Sequence, residues 1–281
     1  GINPKVILPI QNGVDLKLFK GTIENRLSQV NKNQVRFLYS SRPERGLEHL
    51  VAPGGIMERL YNVDKNVHLY VCGYDNTVSE MASYYEYLNV RCKQLPNVTN
   101  LGSLTKRQLA ETMRQCDALV YPTPGPKQPE FDEVSCITAM EAMAAGLPMI
   151  TSNRGALPET CKDSGTILVD MNEDNSVSIE NYFDAIVQFI KMKDEEKQMV
   201  KEKQLEASKK YKWATACHLS IEHIRKLLSR HRSKGAVARQ LIQNSDIYAL
   251  KEFNIEDIPE GSNVIIDNCE KELHTCYDFA L

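Results

Sequence analysis

An open, doubly wound parallel α/β sheet with a helical C-terminal extension is the fold class the sequence predicts. Short β-branched or apolar runs alternate with longer helical patterns, as parallel strands joined by crossover helices do. Beyond Asp170 the strand signal fades and helix takes over. The 281 residues, 42% hydrophobic and 25% charged, can bury a core in one large domain or two small ones, and their composition is far from that of a disordered chain.

Strands are expected, in order, at Val6–Ile10, Val35–Ser40, Val67–Cys72, Val98–Leu101, Ala118–Tyr121, Met149–Thr151 and Thr166–Val169. Helices are expected between them at Glu48–Leu60, Ser79–Leu95, Lys106–Cys116 and Ser135–Ala145. Thr105 is placed to cap the third, and Gly146 with Pro148 ends the fourth. Further helices follow at Ile179–Met192, Lys191–Lys210 and Trp213–Leu228, and the charged stretch among them reads as a solvated face. From 243 to 281, nine acids and two lysines surround one strand-like run, Asn263–Ile266, so this tail reads as a separate unit or the start of one.

Several function classes lose support at once. No apolar run approaches the ~20 residues that span a bilayer, and residues 1–30 lack a signal-peptide pattern, so the chain is expected to be soluble and cytoplasmic. Its formal charge of -3 offers no general attraction for nucleic acid. The eight cysteines are scattered without a C-x-x-C pair and read as reduced, mostly buried thiols rather than a zinc site. No G-x-G-x-x-G or G-x-x-x-x-G-K-[ST] loop occurs, nor any His-x-x-x-His or G-x-S-x-G pattern. The six histidines read as ordinary packed or surface residues.

The informative stretch runs from Tyr121 to Thr160, a strand, a proline-stiffened loop and a helix of small residues. Ligands of such sheets bind outside the carboxyl ends of the strands, where this loop is expected. Glu133 and Glu141 bracket its E-V-S-C-I-T-A-M-E run. Were the whole interval helical they would lie ~12 Å apart along the axis, which suits two ends of an extended ligand better than one shared proton or metal. Glu141 sits within A-M-E-A-M-A-A-G, a run so apolar that a buried acid there requires partners.

Upstream, Y-S-S-R-P-E-R-G-L-E-H-L at residues 39–50 is a strand, a serine turn, two arginines and a helix start. Amides at a helix start together with a guanidinium suit a diphosphate, with Arg45 the better candidate and Arg42 second. Asn97–Thr105 leads a strand into a Gly-Ser turn whose backbone could read a base edge, and Gly155 with Ala156 offers a second possible anion nest.

These residues resemble the nucleotide-sugar-binding domain, Rossmann-like in fold, of retaining GT-B glycosyltransferases of family 4, or group 1. The match covers roughly residues 6–228. N-G-V-D-L-K-L-F at 12–19 resembles the family's hinge, S-S-R-P-E-R-G-L-E its phosphate turn and N-L-G-S-L-T-K-R-Q-L its base loop. E-V-S-C-I-T-A-M-E-A-M-A-A-G-L-P resembles its E-x7-E signature. The resemblance implies that Glu133 faces the transferred sugar and Glu141 the ribose, with Arg45 neutralising the diphosphate as the leaving group forms. It further implies that Arg42 and Ser41 lie in the phosphate turn, that Gly102, Ser103 and Leu104 contact the base, that Ser135, Cys136 and Ile137 line the site, and that Gly155, Ala156 and Leu157 approach the phosphates. Ser40 and Ser41 stand where family members often carry Gly-Arg.

By the same resemblance, the donor is a UDP- or GDP-linked sugar transferred with retention to a glycan, lipid-linked or protein acceptor, with no metal or other cofactor. Residues 1–20 would be a hinge from an absent N-terminal acceptor domain, 21–228 the donor-binding domain and 229–281 a tail. Two alternatives stay open: a non-catalytic nucleotide-binding scaffold, and a sugar-nucleotide epimerase of the same fold. The basic cluster Arg225, Lys226, Arg230, Arg232 and Lys234 suits either a helix C-terminus or an anionic membrane.

Overall fold

The structure, a computed structural model, describes residues 8–20, 34–73, 79–232, 247–250 and 263–266. The chain divides into two compact units, one of Val14–Lys212 and the other of Gly1–Gly13 with Trp213–Leu281.

The larger unit is built on six parallel strands: β1 (Val35–Ser40), β2 (Val67–Gly73), β3 (Val98–Ser103), β4 (Ala118–Tyr121), β5 (Met149–Ser152) and β6 (Ile167–Val169). Their spatial order is β3-β2-β1-β4-β5-β6, so the chain winds outward from β1 in one direction and from β4 in the other. This is the doubly wound arrangement expected. All four residues of β4 and of β5 are buried, and so are the last four of β1, because helices cover both faces of a parallel sheet. Continuous apolar runs therefore mark the central strands. Edge strand β3, with mostly exposed side chains, continues two residues past its expected end.

The helices of this unit are α1 (Leu16–Lys20), α2 (Leu47–Val51), α3 (Ile56–Val63), α4 (Ala82–Gln94), α5 (Lys106–Gln115), α6 (Ile137–Ala145), α7 (Leu157–Thr160), α8 (Ile179–Lys191) and α9 (Asp194–Ser208). Two expectations need correction. The helix expected at Glu48–Leu60 is two helices, since Pro53 forces Ala52 into an extended conformation (ψ 161°) and the Ala52–Gly55 turn intervenes before α3. The strand expected at Val6–Ile10 is absent over residues 8–10, where Pro9 has no amide to donate to a ladder; Val6 and Ile7 lie outside the described residues.

Local signals succeed elsewhere. Thr105 Oγ1 accepts the Gln108 amide at 3.3 Å while Gln108 Oε1 accepts the Thr105 amide at 3.1 Å, a reciprocal cap that fixes the first residue of α5. Gly146 ends α6 in the left-handed region, at φ +67°. Seven consecutive residues of α6, Thr138 to Ala144, are buried, because α1, α5 and α9 all pack against it and its alanines let them come close. The charged helix α9 is thus not wholly solvated. Its Gln204 and Ser208 are buried, and Gln204 donates to Thr166 Oγ1 at 3.1 Å.

The smaller unit contains α10 (Trp213–Arg232) and a parallel pair, β7 (Ile247–Leu250) and β8 (Asn263–Ile266), the latter at its expected position. Arg225 and Lys226 are exposed on α10, and Lys234 lies outside the described residues. Among the described residues no helix is long and apolar enough to cross a membrane. Six of the eight cysteines are described, all free and five of them buried; burial pushes the thiols of Cys72, Cys92 and Cys161 up to about 11.

At the carboxyl ends of β1 and β4 two backbones touch. A Cβ on Gly46 would lie 1.9 Å from the Pro122 carbonyl oxygen, and one on Gly125 would lie 1.9 Å from that of Glu44. Gly46 also has φ +131°, a region L side chains avoid. Gly46→Ala is expected to cost about 2–5 kcal/mol in urea unfolding, through clash and strain together. Gly54→Ala, at φ +71° with nothing within 4 Å of the new methyl, should cost only about 1–2 kcal/mol.

Candidate functional site

The chain leaves adjacent strands β1 and β4 in opposite directions, and the loops that follow them, residues 41–46 and 122–136, meet at Gly46–Pro122 and Glu44–Gly125. A crevice at this reversal is where doubly wound sheets bind ligands. Each strand carries a tyrosine at or next to its end whose hydroxyl donates to the loop its own strand feeds. Tyr39 donates to the Arg42 carbonyl at 2.7 Å and Tyr121 to Glu133 Oε1 at 2.6 Å. The two rings meet edge-on, 6.2 Å between centroids.

Within the first loop Ser41 is buried and Arg42 Nε lies 3.5 Å from Glu44 Oε1. Glu44 is 1% exposed and also accepts the Tyr85 hydroxyl at 3.0 Å, so Arg42 is held by the protein's own buried acid. The amides of Arg45 and Gly46 turn inward to the carbonyls of Arg42 and Pro43. The second cation of this turn, Arg45, has its guanidinium 4.4 Å above the Phe131 ring and its Nη1 3.6 Å from Glu133 Oε1. Arg45 comes from the β1 side of the crevice and Glu133 from the β4 side.

Glu133 precedes α6 by four residues and lies in irregular backbone. The helical spacing expected between Glu133 and Glu141 accordingly does not apply. The Glu133 carbonyl accepts the Ala156 amide at 2.8 Å, and a Cβ on Gly155 would come within 2.8 Å of the same oxygen. Arg154 Nε donates to Asp132 Oδ1 at 2.6 Å, which ties the loop after β5 to the same segment. Because the Ala156 and Leu157 amides are engaged by the Glu133 and Arg154 carbonyls, the turn at Gly155 serves first to support Glu133.

A second group forms farther along α6. Glu141 is 2% exposed and its Oε1 accepts Lys106 Nζ at 2.5 Å. Burial raises the Glu141 carboxyl above the usual carboxylate range, and the Lys106 ammonium opposes that rise. Lys106 opens α5, separated by the cap residue Thr105 from Gly102, Ser103 and Leu104; Gly102 and Ser103 are exposed, and the Gly102 amide is held by Asn100 Oδ1 at 2.9 Å. Between the two groups the start of α6 contributes Cys136, buried at the N-cap, with half-buried Ser135 and Ile137 on either side.

Sequence reasoning singled out Arg45, Glu133, Gly155 and Ala156 separately, and the structure brings them together; it places Glu141 and the 101–104 loop in the second group. It missed Lys106 and Tyr121. A signal for the lysine existed, since a buried acid needs a partner and Lys106 falls in a segment already singled out. Among the described residues no group of three or more His, Cys, Asp or Glu is placed to hold a metal ion.

Residues 22–206, a span that contains every site residue named above, match the family described as "Glycosyl transferases group 1". Comparison with curated proteins gave no match. Among solved structures the chain is similar to sucrose-phosphate synthase of Thermosynechococcus elongatus, with TM-score 0.62 and 21% identity over 79% of this chain and 52% of that one. It is similar to Anabaena HepE in complex with UDP and glucose, with TM-score 0.61 and 19% identity over 77% of this chain and 56% of that one. It is also similar to the C-terminal domain of LpcC, a group 1 glycosyl transferase family protein of Francisella tularensis. There the TM-score is 0.55 and the identity 16%, over 72% of this chain and 100% of that one. The chain spans about half the length of the first two. At these identities the likeness is one of fold.

His49 on α2 contacts the β4 loop, its Nε2 donating to the Pro124 carbonyl at 2.9 Å. Burial holds this imidazole below its ordinary 6.5. Its contribution to stability is therefore fully present above about pH 6.5 and is lost as pH falls toward the lower folded value. Urea unfolding at about pH 7 and about pH 5 should show a smaller acid loss in His49→Gln than in the wild type.

Proposed function

The chain belongs to the group 1 glycosyl transferases, and from that premise we propose that it forms the donor-binding half of a transferase that moves a sugar from a nucleoside diphosphate with retention of anomeric configuration. The observation that carries this reading is the meeting of Arg45 and Glu133 across the crevice between β1 and β4. A cation beside a hydroxyl-binding acid, in an α/β crevice, suits a ligand that carries a diphosphate next to a sugar.

In this reading the donor lies along the mouth of the sheet. Arg45 binds the diphosphate, for which its five N–H donors provide more than one carboxylate consumes. Glu133, held by Tyr121 and by the backbone of the 155–156 turn, accepts hydroxyls of the transferred sugar. Glu141 accepts the ribose hydroxyls, the 101–104 loop contacts the base, and Ser41, Arg42, Ser135–Ile137 and Leu157 shape the walls. HepE has been crystallised with UDP-glucose, which favours a UDP-linked donor here without separating it from a GDP-linked one.

Transfer breaks the bond between the anomeric carbon and the phosphate oxygen while the acceptor oxygen bonds to that carbon on the same face. The acceptor's proton passes to the departing phosphate. Negative charge grows on the leaving diphosphate, and Arg45, already in place, stabilises it without reorganisation. The acceptor, a glycan, lipid-linked group or protein, would be presented from the far side of the crevice by a second domain, as the half-length match to HepE and sucrose-phosphate synthase suggests.

Calorimetric titration with UDP, GDP and their hexose conjugates should find one nucleotide series that binds. Arg45→Ala is expected to weaken it by about 1.5–3 kcal/mol, the value of a hydrogen bond to a charged group. Glu133→Gln should retain nucleoside diphosphate affinity while losing the increment added by the sugar. Unchanged affinity in Arg45→Ala would remove the diphosphate from this crevice.

A further inference from the structure

Glu141 has one oxygen engaged and one in reserve. Oε1 is taken by Lys106 Nζ at 2.5 Å, whereas Oε2 is buried with no hydrogen-bond partner, in a side chain 2% exposed. A buried acceptor left unsatisfied asks for a donor, and an ionised carboxylate in such a place is costly unless a cation faces it. The titratable groups that face Glu141 are Lys106 from α5, the Cys72 thiol from β2 and the Cys136 thiol from the start of α6. Burial pushes both thiols up, so they are uncharged near neutrality. Among the described residues Lys106 is the group that compensates the carboxylate.

Its place is set by backbone chemistry. The Thr105–Gln108 cap fixes where α5 begins, and Lys106 is its first residue, two positions beyond the 101–104 loop. The Lys106 side chain remains 44% exposed while its ammonium reaches the buried acid.

We propose that Lys106 is the positioning residue of the ribose subsite, its ammonium keeping Glu141 in the ionised form that accepts the ribose hydroxyls. The proposal rests on the reading of Glu141 as the ribose-binding acid. A carboxylate is an acceptor on both oxygens, whereas a protonated carboxyl spends one as a donor and holds the hydroxyls less well. Burial and the ammonium act on the acid in opposite senses. Removing the ammonium therefore moves ionisation of Glu141 to higher pH, and the hydroxyl contact fails on the acid side first.

The test compares UDP with 2′-deoxy-UDP, and GDP with 2′-deoxy-GDP, by calorimetry on the full chain from about pH 6 to about pH 9. The ratio within a pair isolates the hydroxyl, because base and diphosphate titrate alike in both members. Wild type should favour the ribonucleotide roughly tenfold or more across the range. In Lys106→Met the ratio should fall toward one at the acid end and recover as pH rises, and Lys106→Arg should behave as wild type. A Lys106→Met ratio that is unchanged, or reduced equally at every pH, overturns the proposal. If wild type itself shows no preference, the ribose reading of Glu141 is wrong and the proposal falls with it. That failure is distinct from one seen only in the lysine variant.

Discussion

The site depends on one close approach: the turn after β1 and the loop after β4 meet backbone to backbone, with Gly46 against the Pro122 carbonyl and Gly125 against that of Glu44. No side chain fits between them. The apposition decides how near the two halves of a doubly wound sheet can bring their loops, and hence whether a residue from each can act on one ligand. Tyr39, Tyr121 and the His49–Pro124 hydrogen bond hold the loops in that register. With the backbones so close, Arg45 and Glu133 face each other across the crevice.

Charge follows the same division. Both acids of the 133–141 segment belong to the half of the sheet that begins at β4, and each is matched by a cation from the other half: Arg45 after β1 for Glu133, and Lys106 after β3 for Glu141. The two pairs differ in setting. Arg45 is partly exposed and beside an aromatic face, so its pairing with Glu133 is partly screened and open to exchange with a competing anion. Glu141 is enclosed, and its charge depends on one partner. One end of the segment thus pairs at a partly exposed guanidinium and the other inside the protein.

A third acid shows the contrast. Glu44 is as buried as Glu141, yet it faces away into the protein, accepting from Tyr85 and pairing with Arg42. It fixes the turn from beneath, which leaves Arg45 rather than Arg42 as the guanidinium at Glu133. The two arginines, three residues apart in the chain, thus pair with different acids, Arg42 with Glu44 and Arg45 with Glu133.

The central strands and the small-residue helix were legible in the sequence because burial on both faces demands unbroken apolar runs, and no tertiary contact reverses that demand. Thr105 announced α5 because a helix cap is local chemistry within four residues. What the sequence could not show was pairing between residues distant in the chain: Arg45 with Glu133, Lys106 with Glu141, Gly46 with Pro122. The break at Ala52–Gly55 was local yet masked, since apolar residues on either side kept a helical period across Pro53. Sequence alone thus determined the class of fold and the segments that carry the candidate residues, because periodicity and caps are short-range. Only the folded chain decided which side chains share a site, because that depends on where the parallel sheet reverses its winding.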